Sequence, residues 1–375
     1  MTDPYAVDID ACRGRQRRLL EYALPLEADD QFLTVLTQRE SVQWVTGVLV
    51  RPPFAAIAAI RRSGHLTLIL PEHQQHEVAA ADEVIGYEGK WHSTMIDQHR
   101  DASTAILKAT LPGPWTYIAC EHEAFPVTFM LESEPPLMEK IDNCVCRLRR
   151  QKDPDELRLL TKANEANRAM YERARQIVRP GLNELDLYAE MHAVAVKTLG
   201  EAPTYFGQDF RFCHGGGPPR DREAKAGELL ILDLGVGFRG YHSDNARTIA
   251  VDGEPTSEQR EAWDAVSEVF KLIEAEARPG KNCRELYESA HKLLNADPRW
   301  SFNHHLGHGV GLAPHEGPHL NPRWDDVLAE GDFIAVEPGV YSESLRAGVR
   351  LEQNYFITAS GAKLMTDWPL GLVLS

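Results

Sequence analysis

LLILDLGVGFRGYHSDNARTI occupies residues 229–249 and decides how the second half of the chain is read. Two aliphatic runs flank Gly237-Phe238-Arg239-Gly240, the pattern of two antiparallel strands joined by a glycine turn. Each run carries one aspartate, Asp233 in the first and Asp244 in the second. A turn centred between Phe238 and Arg239 leaves the two aspartates equidistant from it. They are then expected to sit directly opposite, with Cβ atoms roughly 4.5–5.5 Å apart. Like charges placed face to face among apolar residues destabilise a strand pair unless a cation lies between them.

The device recurs downstream with glutamates. DFIAVEPGV (residues 332–340) runs into a loop and GVRLE (348–352) returns, with Glu337 and Glu352 equidistant from the loop centre. Between the two carboxylate pairs the chain concentrates histidine: His304, His305, His308, His315 and His319. His308 stands between Gly307 and Gly309, and glycine there lets backbone approach a crowded centre. Asp233, Asp244, His308, Glu337 and Glu352 thus form a carboxylate-rich set with one nitrogen. Such a set suits manganese, iron(II), cobalt or zinc. Two ions about 3.5–4 Å apart can share a hydroxide and hold both nucleophile and polarised carbonyl. The expected activity is that of a two-metal hydrolase.

Around this centre the sequence repeats itself. RPGLNELDLY (179–188) and RPGKNCRELY (278–287) share the pattern RPGxNxxxLY. In each copy a helix ends, the chain turns at Pro-Gly, an asparagine caps the next helix, and Leu-Tyr falls within it. Two copies are too few for a solenoid but suit a domain of two related halves with a site between them. The first copy ends a long helix that opens at Asp153-Pro154, with Asp155 and Glu156 at its positive end. Leu157, Leu160, Ala163, Ala166, Met170, Ala174 and Ile177 give that helix one apolar face.

The basic run from Arg147 to Lys152 marks a boundary, and divides the chain into domains at 1–147 and 148–375. The first reads as a small α/β unit. Its expected strands are VQWVTGVLV (42–50), FAAIAAI (54–60), HLTLILP (65–71) and WTYIAC (115–120). EHQQHEVAAADEV (72–84) and DQHRDASTAILKAT (97–110) read as helices. Its histidines, His65, His73, His76, His92, His99 and His122, form no cluster at ligand spacing and are expected at the surface or at caps.

The formal net charge is −16, which argues against phosphate-backbone binding and against an anionic membrane surface. No run approaches the ~20 apolar residues of a membrane span, and the N-terminal stretch has no signal-peptide core. The six cysteines show neither CxxC nor zinc spacing, and Cys144 and Cys146 are placed on one face of a strand. All six read as reduced, mostly buried thiols of a cytoplasmic protein.

LDLG and SDNART, HHLGHGVGL with His315-Glu316 behind it, VEPGVY and GVRLE together resemble the pita-bread metallopeptidases, over roughly residues 150–375. That group comprises methionine aminopeptidase, aminopeptidase P, prolidase and the metal-free creatinase. The resemblance implies an α+β chain: a pita-bread catalytic domain of pseudo-twofold halves, preceded by a smaller creatinase-like α/β domain. It implies that Asp233, Asp244, His308, Glu337 and Glu352 hold two divalent ions, manganese ahead of cobalt or zinc, with Asp244 and Glu352 shared between them. Glu337 is implied as the acceptor of the water proton, and His315 and His304 as groups near the substrate. Arg350 is given an orienting or carboxylate-binding role. The family's Pro-His pair is missing from FCHGGGPPRDR (212–222), where His214 is the substitute candidate for contact with substrate.

The N-terminal domain points to the proline-specific branch and a Xaa-Pro dipeptidase, with an aminopeptidase P on longer peptides as the alternative. A creatinase-like or other small-molecule amidohydrolase and an inactive binding module are the remaining alternatives. Expected partners are a Xaa-Pro peptide and a second copy of the chain, without nucleic acid or membrane.

Overall fold

The computed structural model describes residues 3–23, 30–89, 96–121 and 135–373. The chain divides into two compact units, Met1–Arg149 and Arg150–Ser375.

The first unit runs α1 (Ile9–Ala23), β1 (Phe32–Leu36), α2 (Arg39–Thr46), β2 (Ile57–Arg61), β3 (Leu66–Pro71), β4 (Glu83–Tyr87), α3 (Ile96–Thr110), β5 (Tyr117–Cys120), β6 (Leu137–Lys140) and α4 (Asp142–Arg149). The strands form one sheet in the order β4-β3-β2-β1-β5-β6. β1, β2 and β3 pair antiparallel, whereas β4, β5 and β6 add to it in parallel.

Several sequence expectations fail in this unit. VQWVTGVLV supplies the helix α2, not a strand; Ser41 to Thr46 are all buried, and Gly47 ends the helix at φ 79°. Residues 72–84 hold a short 3₁₀ turn at Glu72–Gln74 and the start of β4, not a helix, and the strand FLTVL (β1) lies where none was expected. Cys144 and Cys146 lie in α4, Cys144 half-buried and Cys146 exposed. Cys213 is also exposed, whereas Cys12, Cys120 and Cys283 are buried. His65, His73 and His76 are exposed, but His99 is buried, its ring 4.9 Å from that of Phe54. His92 and His122 lie outside the described residues.

The second unit opens with α5 (Pro154–Ile177) and α6 (Glu184–Leu199), followed by the sheet β7 (Tyr205–Asp209), β8 (Leu229–Phe238) and β9 (Tyr241–Ala250). Then come α7 (Ser257–Glu276) and α8 (Cys283–Leu294), β10 (Gly307–Gly309), β11 (Glu316–Leu320), β12 (Phe333–Val336), β13 (Gly339–Val340), β14 (Val349–Arg350), β15 (Gln353–Thr358) and β16 (Gly361–Leu364). β11-β10-β12-β15-β16 make a second sheet, and β13-β14 a two-stranded ribbon. Each half is therefore a helix pair followed by antiparallel strands, the pita-bread arrangement. Among the described residues no helix is long and apolar enough to cross a membrane.

The repeated motif makes the same local structure twice. Gly181 and Gly280 take φ values of 88° and 90°, which a side chain would strain. Their amides donate to Ala224 O at 2.9 Å and to Leu328 O at 2.8 Å. Asn183 and Asn282 cap α6 and α8, and Leu187 and Leu286 are fully buried beneath them. α5 begins in a capping box of Asp153 and Glu156, and its apolar face buries Leu160, Ala163, Ala166, Met170 and Ala174. From that face Asn167 donates to Leu234 O at 2.7 Å and Tyr171 to Leu232 O at 3.0 Å, tying the helix to β8.

Candidate metal centre

β8 and β9 form the expected hairpin, in a different register. Phe238 pairs with Tyr241, so the loop is Arg239-Gly240, at φ 48° and 87°. Two positive φ values define the tight turn that matches strand twist. The turn sits one residue later than the sequence reading placed it. Asp233 therefore faces Ala246 and Asp244 faces Gly235. The aspartates are diagonal neighbours on one face, not opposite partners. The glutamate register holds: Val336 pairs with Gln353 and Gly339 with Arg350, leaving Glu337 and Glu352 in the gap between the two ladders. Their amides go elsewhere, Glu337 N to Leu306 O at 2.8 Å and Glu352 N to Ala246 O at 3.0 Å.

Two asparagines tie the halves together reciprocally. Asn245, after Asp244, donates to Glu352 O at 2.9 Å, and Asn354, after Glu352, donates to Asp244 O at 2.8 Å. Buried Arg247 also donates to Glu352 O, and Thr248 exchanges hydrogen bonds with the backbone of Arg350. The backbone beneath the carboxylates is thus fixed by groups other than the carboxylates themselves.

Asp233, Asp244 and Glu352 present ligand atoms within 4.8 Å of one another, all from buried residues. Asp244, His308 and His315 form a second such group, and His305, His308 and Glu337 a third. Another set, Asp153, Asp155 and Glu156, belongs to the first turn of α5, where the helix N-terminus accounts for it. Asp233 Oδ1 and Glu352 Oε1 are buried and, among the described residues, accept no hydrogen bond. Burial pushes the Asp233 carboxyl up to about 6 against the pull of Arg350. Burial and then neighbouring carboxylates, Asp233 first for Asp244 and Asp244 first for Glu352, raise those two well above the usual range. Orphaned acceptor atoms in a cluster of mutually repelling carboxylates fit divalent cations: the donors are oxygen-rich, with imidazole at one side.

Glu337 behaves oppositely. Burial would raise its pKa, but hydrogen bonds from His305 and His308 outweigh it and hold the carboxyl well below the usual range. His305 Nε2 lies 2.7 Å and His308 Nε2 3.3 Å from Glu337 Oε1. His308 Nδ1 faces Gly309 O at 3.0 Å, which aims Nε2 at the carboxylates. His315 stacks on His308, ring centroids 3.8 Å apart. Loss of solvent on that face, together with His308, brings its pKa down to about 4. His304, lowered chiefly by burial, meets Tyr341 Oη at 2.9 Å.

These groups open onto a cavity of about 470 Å³ lined by Asp209, Asp233, Asp244, His304, His305, His315, Glu337, Tyr341 and Arg350, among others. Arg350 Nη2 bonds both Asp209 and, at 2.8 Å, Asp233 Oδ2; Nη1 reaches Gly215 O and Tyr341 Oη. Nη1 and Nη2 are engaged by the protein, so Arg350 braces Asp233, while its buried Nε makes no hydrogen bond among the described residues. His214 is exposed, its ring turned back on Gly216 O, and does not line the cavity. Its neighbour Gly215 does. His319 is elsewhere, paired with Asp326 at 2.8 Å. Asp209 and Tyr341 escaped the sequence reading, and His305 was counted in the histidine cluster without a role of its own; the doubled histidine of HHLGH and the tyrosine ending VEPGVY were the signals available.

The raised carboxyls carry a consequence for pH. The folded, metal-free protein binds protons at Asp233, Asp244 and Glu352 that the unfolded chain releases near pH 4. Their contribution is therefore present at low pH and lost as pH rises through 6 and above. Divalent cations replace those protons, so the Tm advantage of metal-loaded over metal-free protein is expected to widen from pH 5 to pH 8. Scanning fluorimetry with manganese or chelator reads this directly, and a constant gap would contradict it.

Residues 158–359 match the model of Metallopeptidase family M24, and the chain belongs to that family. It is a metal-dependent hydrolase with the pita-bread fold, as the joint motifs of its second half imply. Among its relatives, the Xaa-Pro dipeptidase of Pyrococcus furiosus is 34% identical over 243 residues, 64% of this chain and 69% of that protein. The Xaa-Pro dipeptidase of Pyrococcus horikoshii is 33% identical over 234 residues, 61% of this chain and 66% of the relative. The solved prolidase from Pyrococcus furiosus superposes with a TM-score of 0.73 at 26% identity, covering 90% of this chain and 96% of that one. The X-Pro aminopeptidase from Thermotoga maritima shares the fold at a TM-score of 0.78 and 22% identity, over 96% and 99% of the two chains.

Proposed function

We propose that the chain hydrolyses the bond before proline in Xaa-Pro dipeptides, with two divalent ions, manganese in the first instance. Asp233, Asp244, His308, Glu337 and Glu352 would hold them, Asp244 belonging to two of the ligand groups. The convergence of Asp233, Asp244 and Glu337 on one cavity, with Glu352 and His308 grouped within ligand distance of them, carries this reading. Bound there, the ions would polarise the scissile carbonyl and bring a water's pKa toward neutrality. Glu337, with His305 Nε2 2.7 Å from its Oε1, takes the proton of the attacking water. His315 and His304, both with lowered pKa, stay neutral near pH 7 and serve as hydrogen-bonding groups for the substrate around the reacting carbonyl. Arg350 keeps Asp233 ionised and aimed.

The preference for a dipeptide rests on the two Pyrococcus relatives, both Xaa-Pro dipeptidases. The family resemblance adds a homodimer in the cytoplasm, the first of which light scattering tests. Release of proline from Ala-Pro and Leu-Pro, but no cleavage of a tripeptide Xaa-Pro-Xaa, is the expected outcome with manganese. Cleavage of the tripeptide at its first bond would make the enzyme an aminopeptidase. Inertness toward all three despite bound metal would favour a different amide substrate, with the altered 212–222 segment as the cause.

A further inference from the structure

We propose that the buried ion pair between Lys152 and Glu316 is a positioning device for His315. The inference rests on the role given to His315 above. Lys152 Nζ lies 2.7 Å from Glu316 Oε1, with the side chains 1% and 8% exposed. Lys152 precedes α5 and has its amide anchored on Gly331 O at 3.0 Å, while Glu316 directly follows His315 at the start of β11.

His315 needs such a support. Its side chain is 55% exposed, and among the described residues its ring makes no hydrogen bond. The stacking on His308, at 21° between planes, holds one face, and Asp244 Oδ2 lies 3.8 Å from Nε2. The loop before it turns back through Gly311 N to Ala313 O at 3.1 Å, and Gly311 O receives His242 N at 2.8 Å. A Cβ at Gly311 would fall 2.2 Å from Glu316 Oε1 and 3.0 Å from Lys152 Cε. The glycine of this motif therefore makes room for the ion pair against the loop that carries His315.

A buried ion pair is a poor source of stability, because desolvation offsets the attraction, and apolar replacements of both partners are often neutral or stabilising. What the pair supplies here is a fixed place for residue 316, and so for the imidazole beside it.

The test is a kinetic cycle on the manganese enzyme with Ala-Pro. Glu316→Gln is expected to lower kcat about ten-fold with little change in KM, the scale of effect a small misplacement produces. In a His315→Ala background the same substitution should add nothing, and Lys152→Arg in the parent should retain most activity. Lys152→Met/Glu316→Leu should match or exceed the parent's Tm and bound-metal content while keeping the kcat loss. This double variant decides the matter if Glu316→Gln does not fold. Equal losses in both backgrounds, an unaltered kcat, a fall in metal content, or full activity in the double apolar variant would overturn the proposal. A His315→Ala variant as active as the parent would instead overturn the role of His315 itself.

Discussion

Asp244→Ala and Glu352→Ala are each expected to leave a folded protein with no measurable metal-dependent turnover. The loss should exceed the roughly 10–100-fold typical of removing a group that only supports a ligand. Folding should survive because neither side chain holds its own backbone in place. Asn354 fixes the Asp244 carbonyl, and Asn245 and Arg247 fix that of Glu352. Removing one carboxylate also relieves the repulsion that raises the other, and in Glu352→Ala it deletes a buried oxygen that accepts no hydrogen bond among the described residues. The metal-free variants should therefore unfold at or above the parent's Tm at pH 8, whereas added manganese should no longer stabilise them. Thermal scans with and without manganese, alongside Ala-Pro turnover, check both halves. A fully active Asp244→Ala enzyme would sink the mechanism.

Glu337→Gln separates metal binding from proton transfer. The amide keeps an oxygen toward the centre but cannot accept a proton, and losing a general base costs typically 10²–10⁴-fold. The expected signature is a kcat fall in that range, a KM close to the parent's and most of the bound metal retained. His305 supplies an independent readout. Its pKa is raised chiefly by the hydrogen bond to Glu337, so in the metal-free variant it should titrate at lower pH than in the parent. Imidazole proton resonances followed across pH 5 to 9 measure that shift. Turnover within threefold of the parent would remove Glu337 from proton transfer.

The site was far more legible in the sequence than the first unit was, for a physical reason. A carboxylate inside an aliphatic strand violates the burial rule, and the violation is visible in one dimension: Asp233 within LLILDLGV, Glu337 within FIAVEPGV. The repeated turns were equally plain, because Gly181 and Gly280 take a backbone conformation that glycine adopts without strain. What one dimension did not contain was the hairpin register. Gly237 and Gly240 bracketed a plausible four-residue turn, but Arg239 accepts a positive φ and the strands pair one residue further on.

In the first unit the signal itself misled. Val42, Trp44 and Val45 carry strand propensity, yet they lie in a short helix buried on most of its surface, where packing outweighs local preference. Among the described site residues, Asp209 was invisible because its role runs through Arg350, 141 residues away, whereas Tyr341 lies nine residues from Arg350 and ends the motif VEPGVY. His214 failed in the opposite way: nearness in sequence to the missing Pro-His position did not bring its ring to the cavity.

The most direct test of the central claim is a titration of metal-stripped enzyme with manganese, following Ala-Pro cleavage against bound metal. The stripped enzyme is expected to be inactive, with activity that rises with metal, saturates by two equivalents per chain and is lost again on chelation. Full cleavage of Ala-Pro by enzyme shown to hold no metal would contradict it.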